Sequence, residues 1–285
     1  MTLIRSTSPA RRRKPSFSAV FYFAYAGLAV LALVLAPAAY AAAWRENADV
    51  VKLFKEAGVE GTFVLYDAGE DLLLGHGQYR ANERFIPAST FKLPNTLIGL
   101  ATGAVKSVDE VLPYGGEPQP FDIWEKDMSL RDAITISNVP IYRELARRVG
   151  LKRMRKSVRK LEYGNGDVGD AVDSFWLKGP LKISAVEQTR FLDKLARGKL
   201  PFPAKAQSAV RDIARIETGD GWELFAKTGL GGGGDAGPEV GWWVGWVEKG
   251  GRVYTFALNI AIRGPDDKDK RVPLGKAALK ALVIL

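Results

Sequence analysis

The hydrophobic period of this chain changes twice along its length, and that pattern restricts the fold more than any other feature. In GTFVLYDAGEDLLLGHG, residues 61–67 and 71–75 read as two short strands joined by a turn around Ala68, Gly69 and Glu70. From about Leu93 to Arg215 apolar residues recur at three and four in LRDAITIS, PIYRELARRVG and SAVEQTRFLDKLARG, and glycine closes the last two. These segments predict amphipathic helices. The period then returns to strands in WELFAKTG, VGWWVGWVEKG and RVYTFALNIAI, separated by glycine-bearing turns, before VPLGKAALKALVIL predicts a closing helix. The run Gly231–Gly234 reads as a flexible hairpin loop. A strand pair, a helical middle and a strand-rich end predict an α+β fold: an antiparallel sheet flanked by helices, with a helical subdomain over roughly 93–215.

The amino terminus has a different character. Basic residues Arg11, Arg12, Arg13 and Lys14 precede a long apolar stretch that ends in Pro37 and the small residues Ala39-Tyr40-Ala41, the three-part pattern of a secretory leader. Residues 1–43 are therefore expected to be a signal peptide and 44–285 the catalytic domain, exported to the periplasm or beyond and not stably attached to a membrane after cleavage. The apolar run from Phe17 to Leu35 approaches the length of a membrane span, which leaves an uncleaved anchor as the competing reading. The leader also accounts for much of the net charge of +9. With five cations and no acid before residue 44, the remainder holds 36 basic against 32 acidic residues, a mild excess of +4 that gives little reason to expect a nucleic-acid partner.

Absences narrow the chemistry. The chain has no cysteine, which excludes disulfides, thiol catalysis and thiolate metal sites, and its one histidine, His76, sits at the end of a predicted strand. A Ser-His-Asp triad would need that ring to reach a distant serine, and no metal site is expected. No phosphate loop or dinucleotide fingerprint stands in a strand-turn-helix context.

What remains is PASTFKLPNT, with Ser89 and Lys92 three apart before an apolar helical run. That spacing puts both side chains on one face, within reach of each other. A serine at a helix start also meets backbone N–H groups and the positive end of the helix dipole. Pro94 removes a first-turn hydrogen bond, so a kink or a tight turn is expected there. An ammonium cannot accept a proton, but burial in an apolar pocket lowers a lysine pKa and yields a neutral, reactive amine. Phe91 and Val139 are candidates for the walls of such a pocket. Two further segments follow in chain order: Ser137-Asn138-Val139 in the helical region, and Lys227-Thr228-Gly229 on a late strand where glycine admits a ligand.

Taken together, these motifs resemble those of the penicillin-recognising serine enzymes, and most closely the class D (oxacillinase-type) serine β-lactamases. STFKLPNTLIGL, Tyr163-Gly164-Asn165, FWLKGPLKISAVEQ with Trp176, and GWWVGWVE carry the choice of class, and the resemblance runs from about Gly61 to Leu285. It implies hydrolysis of a β-lactam ring through an acyl-enzyme on Ser89. Its general base would be Lys92 carboxylated on nitrogen by carbon dioxide, with no other cofactor. Trp176 would donate its indole N–H to that group, and Ser137 would relay a proton to the leaving nitrogen. Lys227, Thr228 and an arginine, Arg271 or Arg263, would meet the substrate carboxylate, and the backbone N–H groups of Ser89 and Leu230 would hold the oxyanion. The partner expected is a small-molecule β-lactam, with the chain a monomer or homodimer. Leu230 followed by four glycines, and Val186-Glu187-Gln188 where Gln-Glu-Gln is commoner, depart from the family pattern. The alternatives are a non-hydrolytic β-lactam sensor and, less favoured, a peptidoglycan transpeptidase or carboxypeptidase.

Overall fold

A computed structural model describes residues 42–285. The leader read over residues 1–43 lies outside the described residues except for its last two alanines. In chain order the elements are β1 (Ala43–Glu46), α1 (Ala48–Ala57), β2 (Gly61–Asp67), β3 (Leu72–His76), α2 (Gln78–Asn82), α3 (Lys92–Ala101), β4 (Val111–Leu112), β5 (Met128–Ser129), α4 (Leu130–Thr135) and α5 (Val139–Val149). They continue with α6 (Leu151–Lys160), α7 (Ala185–Ala196), α8 (Ala204–Ala214), β6 (Arg215–Gly219), β7 (Trp222–Gly231), β8 (Val240–Lys249), β9 (Arg252–Ala261) and α9 (Asp267–Ala281).

Seven strands form one sheet in the order β1-β3-β2-β9-β8-β7-β6. Every neighbouring pair is antiparallel except β1 and β3, which run parallel from Ala43↔Leu72 to Glu46↔Gly75. The central strands are apolar at both parities because each face of the sheet is covered. On β8, Trp242, Val244 and Trp246 face the layer built by α3 to α8, while Trp243 and Val247 face α1 and α9. On β2, Val64 and Tyr66 take the first side and Phe63 and Leu65 the second. Helix α9 lies so close to the sheet that a Cβ on Gly275 would stand 2.1 Å from the Trp243 ring.

Local chemistry explains most boundaries. Helix α1 starts at Asn47, whose side chain accepts from the N–H groups of Asp49 and Val50, and ends at Gly58 in the left-handed region. Helix α7 carries a full capping box between Ser184 and Glu187. The closing helix differs from its sequence reading: it begins at Asp267, before the valine-proline pair, and runs through Pro273. Asp267 and Asp269 in its first turn complement the dipole, and the Asp267 carboxylate accepts from the N–H groups of Arg263 and Gly264. That nucleus outweighs the one hydrogen bond a proline removes. The helix stops at Ala281, and Val283 turns into positive φ.

Between Phe225 and Gly231 the outer edge of β7 has no strand beside it, because β6 pairs only as far as Arg215↔Phe225. The turn before α3 packs against that open edge. Gly229 is where the two backbones approach: a Cβ there would lie 3.1 Å from both the Pro87 carbonyl oxygen and Thr90 Cγ2.

Candidate active site

The chain enters the site through Ala88–Phe91, a 3₁₀ turn that runs into α3. In a 3₁₀ turn residues i and i+3 eclipse, so Ser89 and Lys92 stand one above the other. Lys92 Nζ donates to Ser89 Oγ at 2.8 Å, and both side chains are buried. The turn is fixed from several directions. Ile86 O accepts from the Trp242 indole at 2.9 Å, Ala88 N donates to Trp176 O at 2.9 Å, and Thr90 Oγ1 donates to Pro87 O at 2.7 Å. Ala88 has φ +48°, a conformation that costs a non-glycine residue free energy and that these contacts hold in place.

Lys92 is 1 % exposed. Its pKa lies well below the usual lysine range, chiefly because burial disfavours the ammonium and secondarily because Lys227 is a nearby positive charge. The amine sits 5.2 Å from the centre of the Tyr142 ring. Phe91 lies in the core, stacked on Trp176 at 5.6 Å and set edge-on against Phe175 and Tyr163. Val139 is half-buried as the first residue of α5, and Tyr142, one turn along the same helix, is the residue whose ring reaches Lys92. Sequence reading passed over Tyr142, although the three-residue step from Val139 marks the same helix face.

Ser137 lies between α4 and α5 with φ +59°, the left-handed region that few non-glycine residues occupy. Its neighbour Asn138 is fully buried, caps α5 through Ile141 N, and donates to Trp124 O at 3.3 Å. This anchored loop presents Ser137 Oγ to Lys227 Nζ at 2.7 Å. Lys227 comes from β7 on the face turned toward the helical layer, and its amine also donates to Thr228 Oγ1 at 3.2 Å. Burial first, and the Arg271 charge second, lower the Lys227 pKa to about 7.

The two candidate arginines are placed differently. Arg271, on α9, donates through Nη1 to Gly229 O at 2.6 Å, and its stem crosses Gly241. Arg263 is mostly exposed and pairs with Glu60. Leu230, next after Lys227-Thr228-Gly229, is 38 % exposed at the mouth of the same edge. His76 is on β3, with Nδ1 3.0 Å from Glu46 and its ring against Phe54 of the opposite layer, so it takes no part here.

Behind the reactive turn runs a second network. Gln188 Nε2 donates to Thr90 Oγ1 at 2.8 Å, and Tyr163 Oη donates to Gln188 Oε1 at 3.3 Å. It ties the Tyr163-Gly164-Asn165 segment and α7 to the residue next to Ser89. Glu187, beside Gln188, forms an ion pair with Arg84.

A buried lysine bonded to a serine, a second serine–lysine contact, and an open strand edge with donors and cations define a serine acyl-transfer site. Residues 61–280 match the family model for the penicillin binding protein transpeptidase domain. Beta-lactamase OXA-19 of Pseudomonas aeruginosa is 39% identical over 249 residues, covering 87% of this chain and 92% of that one. Beta-lactamase OXA-48 of Klebsiella pneumoniae is 37% identical over 251 residues, 88% of this chain and 94% of its own. Among solved structures, FUS-1 (OXA-85), a class D beta-lactamase from Fusobacterium nucleatum subsp. polymorphum, superposes with a TM-score of 0.81 at 42% identity, over 85% of this chain and all of that one. The chain belongs to the class D β-lactamases, within the penicillin-binding protein transpeptidase family.

Proposed function

We propose that this chain hydrolyses the β-lactam ring of penicillin-type antibiotics in two acyl-transfer steps on Ser89. The observation that carries the reading is the 2.8 Å contact between Lys92 Nζ and Ser89 Oγ inside a site where burial holds the amine's pKa well below the usual lysine range. A neutral amine is the form that reacts with carbon dioxide, and lowering the amine's pKa favours that form. Carboxylated Lys92 would supply the general base that a chain with one remote histidine otherwise lacks.

Each other residue has a role that its position allows. Ser89 Oγ attacks the ring carbonyl and loses its proton toward Lys92. The backbone N–H groups of Ser89 and Leu230 take the oxyanion, and Ser137, held by Lys227, passes a proton to the departing nitrogen. Thr228 and Arg271 meet the substrate carboxylate, with Lys227 adding positive charge when protonated. Val139 closes the apolar side of the pocket and Trp176 donates to the carboxylated lysine. Water then cleaves the ester by the same base.

Export accompanies this reading. Ala43, the last residue of the leader read over 1–43, is the first residue of β1, so cleavage after Ala43 would trim that edge strand by one residue and cleavage near Ala41 would leave it whole.

Mixing purified protein with excess chromogenic cephalosporin tests the function directly. Sustained ring opening over many turnovers supports a hydrolase. A single equivalent opened and retained as a stable adduct identifies a sensor instead, and transfer to an added peptide amine identifies a transpeptidase.

A further inference from the structure

Helix α6, LKRMRKSVRK, has the most lopsided charge of the described elements. It holds six cations (Lys152, Arg153, Arg155, Lys156, Arg159 and Lys160) and no acid. Past the leader the chain has 36 basic and 32 acidic residues, so without α6 the remainder stands at 30 against 32. One ten-residue helix therefore carries the entire positive excess.

The helix breaks the rules that stabilise exposed helices. It has no acid in its first turn, where Lys152 and Arg153 oppose the dipole, and it stacks like charges four apart at Lys152 and Lys156, and at Arg155 and Arg159. It is held in place by the buried residues Met154, Ser157 and Val158. Not all six charges are free. Arg153 donates to the carbonyls of Arg148 and Val149, Arg155 to Gly169 O and the Asp170 carboxylate, and the Lys160 amine lies over the Phe202 ring. Among the described residues Lys152, Lys156 and Arg159 form no ion pair. With Arg155 and Leu151 they line one shallow groove on an exposed face. Local charge rules broken together on one surface mark a site of interaction.

We propose that this face docks on the surface of a bilayer rich in anionic phospholipid. Its exposed cationic stripe complements an array of phosphates. No exposed aromatic side chain stands on α6 to stack a base, which disfavours single-stranded nucleic acid. The contact is electrostatic and reversible by salt, and no apolar residue of the helix enters the lipid.

Vesicle pelleting tests this, using protein as its producing cells process it, with the amino terminus read by mass spectrometry. Wild type is compared with a variant carrying Lys152→Gln, Lys156→Gln and Arg159→Gln, so any contribution of the amino terminus is common to both. The expected result is pelleting with phosphatidylglycerol vesicles at low salt, none with phosphatidylcholine, and release at high salt. Each juxtamembrane cation strengthens such contacts several-fold, so the variant binds about a hundredfold more weakly. Its hydrolysis of a chromogenic cephalosporin stays at the wild-type rate. Equal pelleting of both proteins, or none of wild type, overturns the proposal. Displacement by soluble polyphosphate at equal phosphate charge, with a stronger preference for it than for vesicles, also overturns it.

Discussion

Gln188 and Thr90 are joined by a 2.8 Å hydrogen bond across 98 residues of sequence, and Thr90 is the residue next to Ser89. The bond makes the reactive turn depend on the start of α7. Replacing Gln188 with Leu would leave buried Thr90 and Tyr163 hydroxyls short of a partner, at about 1–3 kcal/mol. Urea unfolding reads the loss. Turnover should fall more than substrate affinity, because the substitution shifts the nucleophile and leaves the carboxylate-binding edge in place.

Lys227 makes stability depend on pH. Its folded pKa of about 7 lies below the unfolded value of 10.5. Between those values the unfolded chain binds the proton and the folded chain does not, so stability from this group rises with pH across that window. Below pH 7 the full penalty of burying the ammonium is present. Unfolding at pH 7 and pH 9 should show wild type gaining on the order of 2 kcal/mol relative to Lys227→Met. An unchanged difference would place the Lys227 pKa outside that window.

Gly229 is kept small by its neighbours. A methyl group there would press on Pro87 O and Thr90 Cγ2, both at 3.1 Å. Gly229→Ala should fold, with β7 displaced by a few tenths of an ångström from the nucleophile turn, and kcat/KM should fall roughly tenfold. Steady-state kinetics beside a melting curve separates this from general destabilisation.

The arginines should separate cleanly. Arg271→Ala removes the donor to Gly229 O and a cation beside Lys227, so KM should rise about tenfold or more. Arg263→Ala loses an exposed pair with Glu60, worth little, and should leave kinetics within about twofold of wild type.

Some of this was legible in the sequence because it is local. Ser89 and Lys92 share a turn, and Lys227-Thr228-Gly229 sits on one strand, so spacing alone brings each set together. The change of period from helices to strands reports layers directly. Other features depend on contacts between distant residues. Tyr142 over Lys92 and Gln188 on Thr90 are set by how α5 and α7 pack. The positive φ of Ala88 and Ser137 belongs to residues that rarely adopt it, and no sequence pattern announces that. Strand β1 has four residues and pairs parallel with β3, too short to show a period. Helix α1 was not read from the sequence, although Asn47 and Gly58 mark its two ends. The closing helix, read from Val272, begins five residues earlier at Asp267, in a charged segment with no apolar period to announce it.

The most direct test of the account is magnetic resonance of the protein equilibrated with isotopically labelled bicarbonate. The account predicts one protein-bound carbamate carbon signal that is absent in Lys92→Ala, fades on acidification, and returns together with hydrolysis when bicarbonate is restored. A fully active enzyme with no such signal, or a signal that survives in Lys92→Ala, would contradict it.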